Sequence, residues 1–121
     1  MLLFKKKFLE AIRAGEKTQT IRLWKFRRMR QGQRSYIPGA GYIVIDSVDA
    51  VDLETLTHDD AVRDGFDSVE SLQVEIEKLY PQASTDGHRP YRIRFTLLPP
   101  EEQEKARQAK EAKKQRQKEG G

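Results

Sequence analysis

The chain has 121 residues and no cysteine, so its length suits one domain with a core, and disulfide scaffolds and thiolate chemistry are excluded. No apolar run approaches the roughly 20 residues a membrane helix needs. A net charge of +4 hides a steep asymmetry: residues 1–34 carry +9, residues 35–100 carry −7, and the remainder carries +2.

The opening Met1-Leu2-Leu3-Phe4-Lys5-Lys6-Lys7 sets its charges after its apolar residues, the reverse of a secretory signal, so a cytoplasmic protein that does not enter a membrane is expected. Phe4, Phe8, Leu9 and Ile12 recur at helical spacing between lysines. They predict an amphipathic helix of about two to three turns, closed by Gly15 in a left-handed conformation. Next comes Gly15-Glu16-Lys17-Thr18-Gln19-Thr20-Ile21-Arg22. Its β-formers predict a strand from Lys17 to Arg22, with Thr18, Thr20 and Arg22 on one side. Lys17 sits at the turn, free to swing to either side. A cation beside a hydroxyl, with a guanidinium two positions on, suits a phosphate or a polarised carbonyl.

The segment from Leu23 to Arg34 interleaves cations with Trp24 and Phe26. Aromatics among arginines suit base stacking and phosphate contact on single-stranded RNA. Alternatively, the two rings tuck into the core and only the arginines meet a partner. The residues expected at RNA are Arg22, Lys25, Arg27, Arg28 and Arg30, with Trp24 as the stacking ring. A basic first third predicts a polyanion, unless its cations pair with the acidic middle of the chain.

Ser35–Pro38 reads as a short strand, and the run from Tyr42 to Leu53 as a longer one whose alternation slips near Asp46-Ser47, predicting a bulge. Thr57 with Asp60 forms a helix start, and Gly65 a stop. Asp67-Ser68 starts a second helix, with Val69, Leu72, Ile76 and Leu79 as its buried stripe before Pro81. Residues 82–90 read as loop. Tyr91–Leu97 alternates as a strand, with Arg92 and Arg94 opposite the apolar side. Pro99-Pro100 marks a boundary, giving a domain over 1–98 and a charged tail over 99–121. The tail has no apolar residue larger than alanine from Glu101 to Glu119, so it reads as a solvated helix or as disordered, with nothing to pack. This order of elements, with the first and last strands paired, predicts a small α+β domain around a barrel.

Gly15-x-Lys17-x-x-Thr20-x-Arg22 resembles the signature of the ASCH domain, a branch of the PUA-like RNA-binding superfamily. The likeness extends from about Phe4 to Leu97 and includes Leu56-Thr57, Asp64-Gly65-Phe66 and Tyr80-Pro81. The common form has glutamate where this chain has Thr20; the threonine form is similar to small bacterial amidohydrolases that deacetylate acetylcytidine. The resemblance implies a PUA-like (ASCH) β-barrel with short flanking helices. It also implies a catalytic set of Lys17, Thr20 and, where that branch has glutamate, Asp64. An aspartate is one methylene shorter, and a misplacement of about 1 Å can cost on the order of a hundredfold in rate. Lys17 could serve as a base if its pKa is lowered, or as a protonated group stabilising an oxyanion while the carboxylate activates water. Equally, Asp64 could be a helix-end acid paired with Arg63 or Arg22.

Three functions compete on these residues. One is a hydrolase of modified cytidine, the second a ribonuclease, the third a non-catalytic RNA-binding module. Expected partners are RNA or a modified nucleoside, with no membrane and no obligate protein partner. Two histidines, His58 and His88, cannot make a zinc site by themselves, and no phosphate-cradling glycine loop is present, so no metal and no cofactor is expected.

Overall fold

In the computed structural model, which describes residues 1–81 and 87–119, four strands form one antiparallel sheet flanked by helices. The apolar spacing of the N-terminal segment yields helix α1 (Lys6–Arg13), whose chain leaves through Gly15 at φ +76°. Strand β1 (Gln19–Trp24) follows, then β2 (Arg34–Ile37) and β3 (Gly41–Ala50). Helices α2 (His58–Asp64) and α3 (Val69–Leu79) precede β4 (Arg89–Leu97), and helix α4 (Pro100–Glu119) ends the described chain. The sheet order is β1-β4-β3-β2, so β1 pairs with β4 across most of the sequence, as the sequence predicts.

The sheet curls into a half-barrel. Its register against β4 shifts between Ile45 and Ser47, where the alternation of β3 slips, and the bulge lets the strand bend. Inside the curl lie Ile37, Ile43, Ile45, Ile93 and Phe95, all essentially inaccessible. Burial of each such side chain stabilises by about 1.5–3 kcal/mol. The other side of β1 packs Ile21 and Leu23 against Leu56, Ala61, Leu72 and Ile76 of the α2–α3 region. Because β1 is covered on both sides, it reads as a nearly continuous buried run rather than an alternating one.

Both helix starts are capped as the sequence predicts. Thr57 Oγ1 accepts from the Asp60 backbone N–H while Asp60 Oδ2 accepts from the Thr57 N–H, and Ser68 forms the same reciprocal arrangement with Ser71. Gly65, at φ +88°, ends α2 in the left-handed conformation.

Several details differ from the sequence reading. Lys17 sits at the turn as expected, tied to the end of α1 by its backbone N–H donating to Ala11 O, but β1 begins only at Gln19 and β3 ends at Ala50, with Leu53 starting a short 3-10 turn. Strand β4 begins at Arg89, two residues earlier than Tyr91, since Leu23 and Trp24 pair with Pro90 and Arg89. Leu79 is 49 % exposed rather than part of the buried stripe of α3. The tail is not wholly unpacked: Gln103 exchanges hydrogen bonds with the Tyr42 backbone, and Ala106 is buried. A polar side chain clipping a strand backbone does here what apolar contact does elsewhere. Of the loop expected over 82–90, residues 82–86 lie outside the described residues.

Candidate functional site

Three segments bring the signature residues together. The turn after α1 presents Lys17, β1 presents Thr20 and Arg22, and the last residue of α2 is Asp64. The Thr18 N–H donates to Arg63 O at 2.8 Å, which pulls the start of β1 against the end of α2. Gly65, just beyond, leaves the stem of Lys17 room to lie against it at 3.6–3.7 Å from an ideal Cβ.

Lys17 and Asp64 form a buried ion pair. Lys17 Nζ lies 2.6 Å from Asp64 Oδ1 and also donates to the Asp64 backbone oxygen; the two residues are each 3 % exposed. The shorter acid therefore does reach the lysine, and Arg63 pairs instead with Asp59. Burial pushes the Lys17 pKa down and the Asp64 pKa up, each against the attraction of the other. The ammonium is also ringed by phenyl groups, with the centroids of Phe8, Phe4 and Phe66 at 4.8, 5.6 and 5.7 Å. Asp64 Oδ2 is buried and has no hydrogen-bond partner among the described residues.

Thr20 and Arg22 make a second pair on the same face of β1. Arg22 Nε donates to Thr20 Oγ1 at 3.0 Å, its Nη2 donates to Leu3 O at 2.5 Å, and its guanidinium lies 4.8 Å from the Phe4 ring centroid. Burial lowers the Arg22 pKa without threatening its charge. Lys17, Asp64, Thr20 and Arg22 all line one cavity of about 230 Å³, walled by Phe4, Phe8, Phe66, Ile76, Leu79 and Tyr80. Exposed Leu79 thus has a place at that wall.

Of the expected RNA contacts, only Arg22 lines this cavity, and the others lie elsewhere. None of Lys25, Arg27, Arg28 and Arg30 lines this cavity. They are exposed on the loop after β1, and none forms an ion pair with a described carboxylate. Arg27 Nη2 donates to Val48 O at 2.5 Å, pinning the loop to β3. Trp24 is 8 % exposed and packs against Tyr91 at 5.6 Å between ring centroids, so its faces are occupied by the core. That corrects the stacking role expected of it. Phe26, 79 % exposed, is the ring that faces outward. Sequence reading also left out the phenyl ring of Phe66 and the hydrogen bond from Arg22 to Thr20. The Arg22-x-Thr20 parity was the available signal for the second.

Solved structures share this architecture. An ASCH domain from Lactobacillus crispatus JV V101 superposes with a TM-score of 0.63 at 16 % identity, over 74 % of this chain and 69 % of that one. The fold is that of an ASCH domain. The hypothetical protein PH0355 superposes with a TM-score of 0.65 at 17 % identity, over 79 % of this chain and 95 % of the other. Protein EF3133 of Enterococcus faecalis V583, of family DUF984, gives 0.63 at 13 % identity, over 76 % and 67 %. No family model and no curated protein sequence matches the chain. In this ASCH fold, no group of three or more His, Asp or Glu side chains among the described residues could hold a metal ion. No described helix is long and apolar enough to cross a membrane.

Proposed function

We propose that this ASCH-domain protein hydrolyses the exocyclic amide of an acylated cytidine, using Lys17, Asp64, Thr20 and Arg22. The observation that carries the reading is the convergence of two polar pairs, Lys17 with Asp64 and Thr20 with Arg22, on one small cavity with phenyl walls. Phenyl groups suit a planar base, and a volume of about 230 Å³ suits one base with a small acyl group.

In amide hydrolysis water adds to the carbonyl carbon, its proton passes to a base, and the C–N bond breaks as the nitrogen is protonated. The products are a carboxylate and the free amine. The Lys17–Asp64 pair suits both transfers. Burial disfavours both charged forms, so a proton can rest on either partner without changing the net charge of the site. The orphaned Asp64 Oδ2 is an acceptor for the proton of the attacking group. Arg22, beside Thr20 Oγ1, favours negative charge at that end of the cavity, either on the hydroxyl or on the tetrahedral oxygen.

Wild type and Lys17→Met are incubated with acetylcytidine and, separately, with a mixed RNA pool, and products are followed by mass spectrometry. Cytidine released by the wild type alone supports the amidohydrolase reading. RNA fragments in its place make the protein a ribonuclease, and an unchanged pair of substrates removes catalysis altogether.

A second reading, RNA binding, rests on a separate observation. Phe26 projects from a loop that also exposes Lys25, Arg27, Arg28 and Arg30 without carboxylate partners among the described residues. An outward ring flanked by cations suits a stacked base with its neighbouring phosphates. Filter binding of a single-stranded RNA to wild type and Phe26→Ser tests it; equal affinity would remove Phe26 from the contact.

A further inference from the structure

The mouth of the cavity carries charge that the hydrolysis above does not use. Lys5 and Glu75 both line the cavity, and Lys7, just outside its lining, stands two residues further along the same N-terminal segment. Both ammonium groups converge on one carboxylate: Lys5 Nζ is 2.9 Å, and Lys7 Nζ 3.7 Å, from Glu75 Oε1. Their side chains are 50 % and 58 % exposed, whereas that of Glu75 is 12 % exposed. Two cations thus stand at the solvent side against a single anion set behind them. Further in, Lys17 is balanced by Asp64, and Arg22 has no carboxylate among its hydrogen-bond partners. The cavity lining therefore sets three cations, Lys5, Lys17 and Arg22, against two carboxylates, Asp64 and Glu75, and Lys7 adds a further positive charge beside it. A ligand complementary to the phenyl walls and to the lysines at the lip has a planar ring at one end and an anion at the other.

We propose that Lys5 and Lys7 bind a phosphate at this lip, so that the cavity takes a phosphorylated nucleoside in preference to a free one. The inference rests on the cytidine reading above and names the form in which that ligand arrives. A phosphate offers several strong acceptor oxygens, enough to engage both ammonium groups while Glu75 keeps its own contact with Lys5. The phosphate has two sources, a free nucleoside 5′-monophosphate or a nucleotide within an RNA strand.

Cytidine, cytidine 5′-monophosphate and the trinucleotide CpCpC, none of which carries the scissile amide, are titrated calorimetrically into the full chain. At low salt the monophosphate is expected to bind about fivefold more tightly than cytidine, the scale of a pair of exposed ionic contacts. That ratio should shrink toward one near 0.5 M salt, as roughly expected for solvent-exposed charges. Lys5→Gln/Lys7→Gln should bring it toward one at low salt, and Glu75→Gln should enlarge it. Since the readout is a ratio within each variant, a general loss of fold does not mimic it. Equal binding of cytidine and its monophosphate by the wild type overturns the inference and leaves the cytidine site standing. A ratio that survives in the double lysine variant overturns it as well. Absence of binding by any of the three probes takes down the cytidine reading and the inference together. With the preference present, tighter binding of CpCpC than of the monophosphate assigns the phosphate to a strand, and equal or weaker binding assigns it to a free nucleotide.

Discussion

Replacing Lys17 by methionine keeps much of its volume among Phe4, Phe8 and Phe66 and removes only the charge. Asp64, 3 % exposed, then has no cation and keeps an Oδ2 that already lacks a partner. Breaking a buried pair from one side costs about 3–5 kcal/mol, because the remaining charge stays desolvated. A domain of this size is stable by about 10 kcal/mol. The variant should therefore stay folded but lose roughly a third to a half of its stability. With a urea dependence of about 1.5 kcal/mol per M, the midpoint should fall by roughly 2–3 M. The single tryptophan, Trp24, is buried against Tyr91 and reports the transition by fluorescence. The double variant Lys17→Met/Asp64→Leu removes both charges, and should recover most of the loss, since apolar replacement of a buried pair is often neutral or better. The pH dependence has a definite sign. In Lys17→Met the Asp64 pKa stays raised, by burial now without an opposing cation. The neutral carboxyl then favours the fold fully below the ordinary carboxylate value, an advantage lost as pH rises through its raised folded value. The single variant should thus be least stable at neutral and alkaline pH. A double variant no more stable than Lys17→Met would refute the account, since the charges would then not be coupled.

Other outcomes follow from the same geometry. Arg22→Met should lower kcat for acetylcytidine by about 10²-fold or more, the scale of losing an oxyanion donor, with Arg22→Lys restoring part of it at an unchanged pH profile; equal rates would remove Arg22 from the site. Asp60 is buried, caps α2 and lies 3.3 Å from Arg92. Burial raises its pKa, but the Thr57 hydrogen bonds and the Arg92 charge outweigh that and hold it low. Its stabilisation is present above the ordinary carboxylate value and is lost as pH falls through the depressed one, so Asp60→Asn should flatten the acid limb of a thermal-stability profile. Gly65→Ala meets the Lys17 stem only at ordinary contact distance, so its cost should be the left-handed backbone alone, about 1 kcal/mol or roughly 4–6 °C in Tm by calorimetry. The Arg27/Arg28/Arg30 triple alanine variant should weaken RNA binding across sequences and reduce the salt slope by about three, measured by titration at several ionic strengths.

Local rules determined much of this protein in advance. The helix at Lys6–Arg13, both capped helices, the slip at Asp46-Ser47 and the alternating last strand each follow from spacing, caps and periodicity within about ten residues, and those constraints act on the chain before any packing. Even the candidate site was half legible, since Lys17, Thr20 and Arg22 stand within six positions. What pairs with what was not. Asp64 lies 47 residues from Lys17, and long-range contacts such as the backbone bond from Thr18 to Arg63 and the bond from Gln19 to Asp60 O bring the two together. The fate of the two rings in the basic segment was open for the same reason. Trp24 ends a strand that pairs with β4 and turns inward onto Tyr91, while Phe26, two residues later, has left the sheet and faces water. The tail shows the reverse: a composition with nothing apolar larger than alanine still docks, because one glutamine side chain meets a strand backbone and Ala106 is buried beside it. Periodicity records how a segment meets its own neighbours. Which distant charge, ring or backbone edge it meets is decided only when the sheet closes.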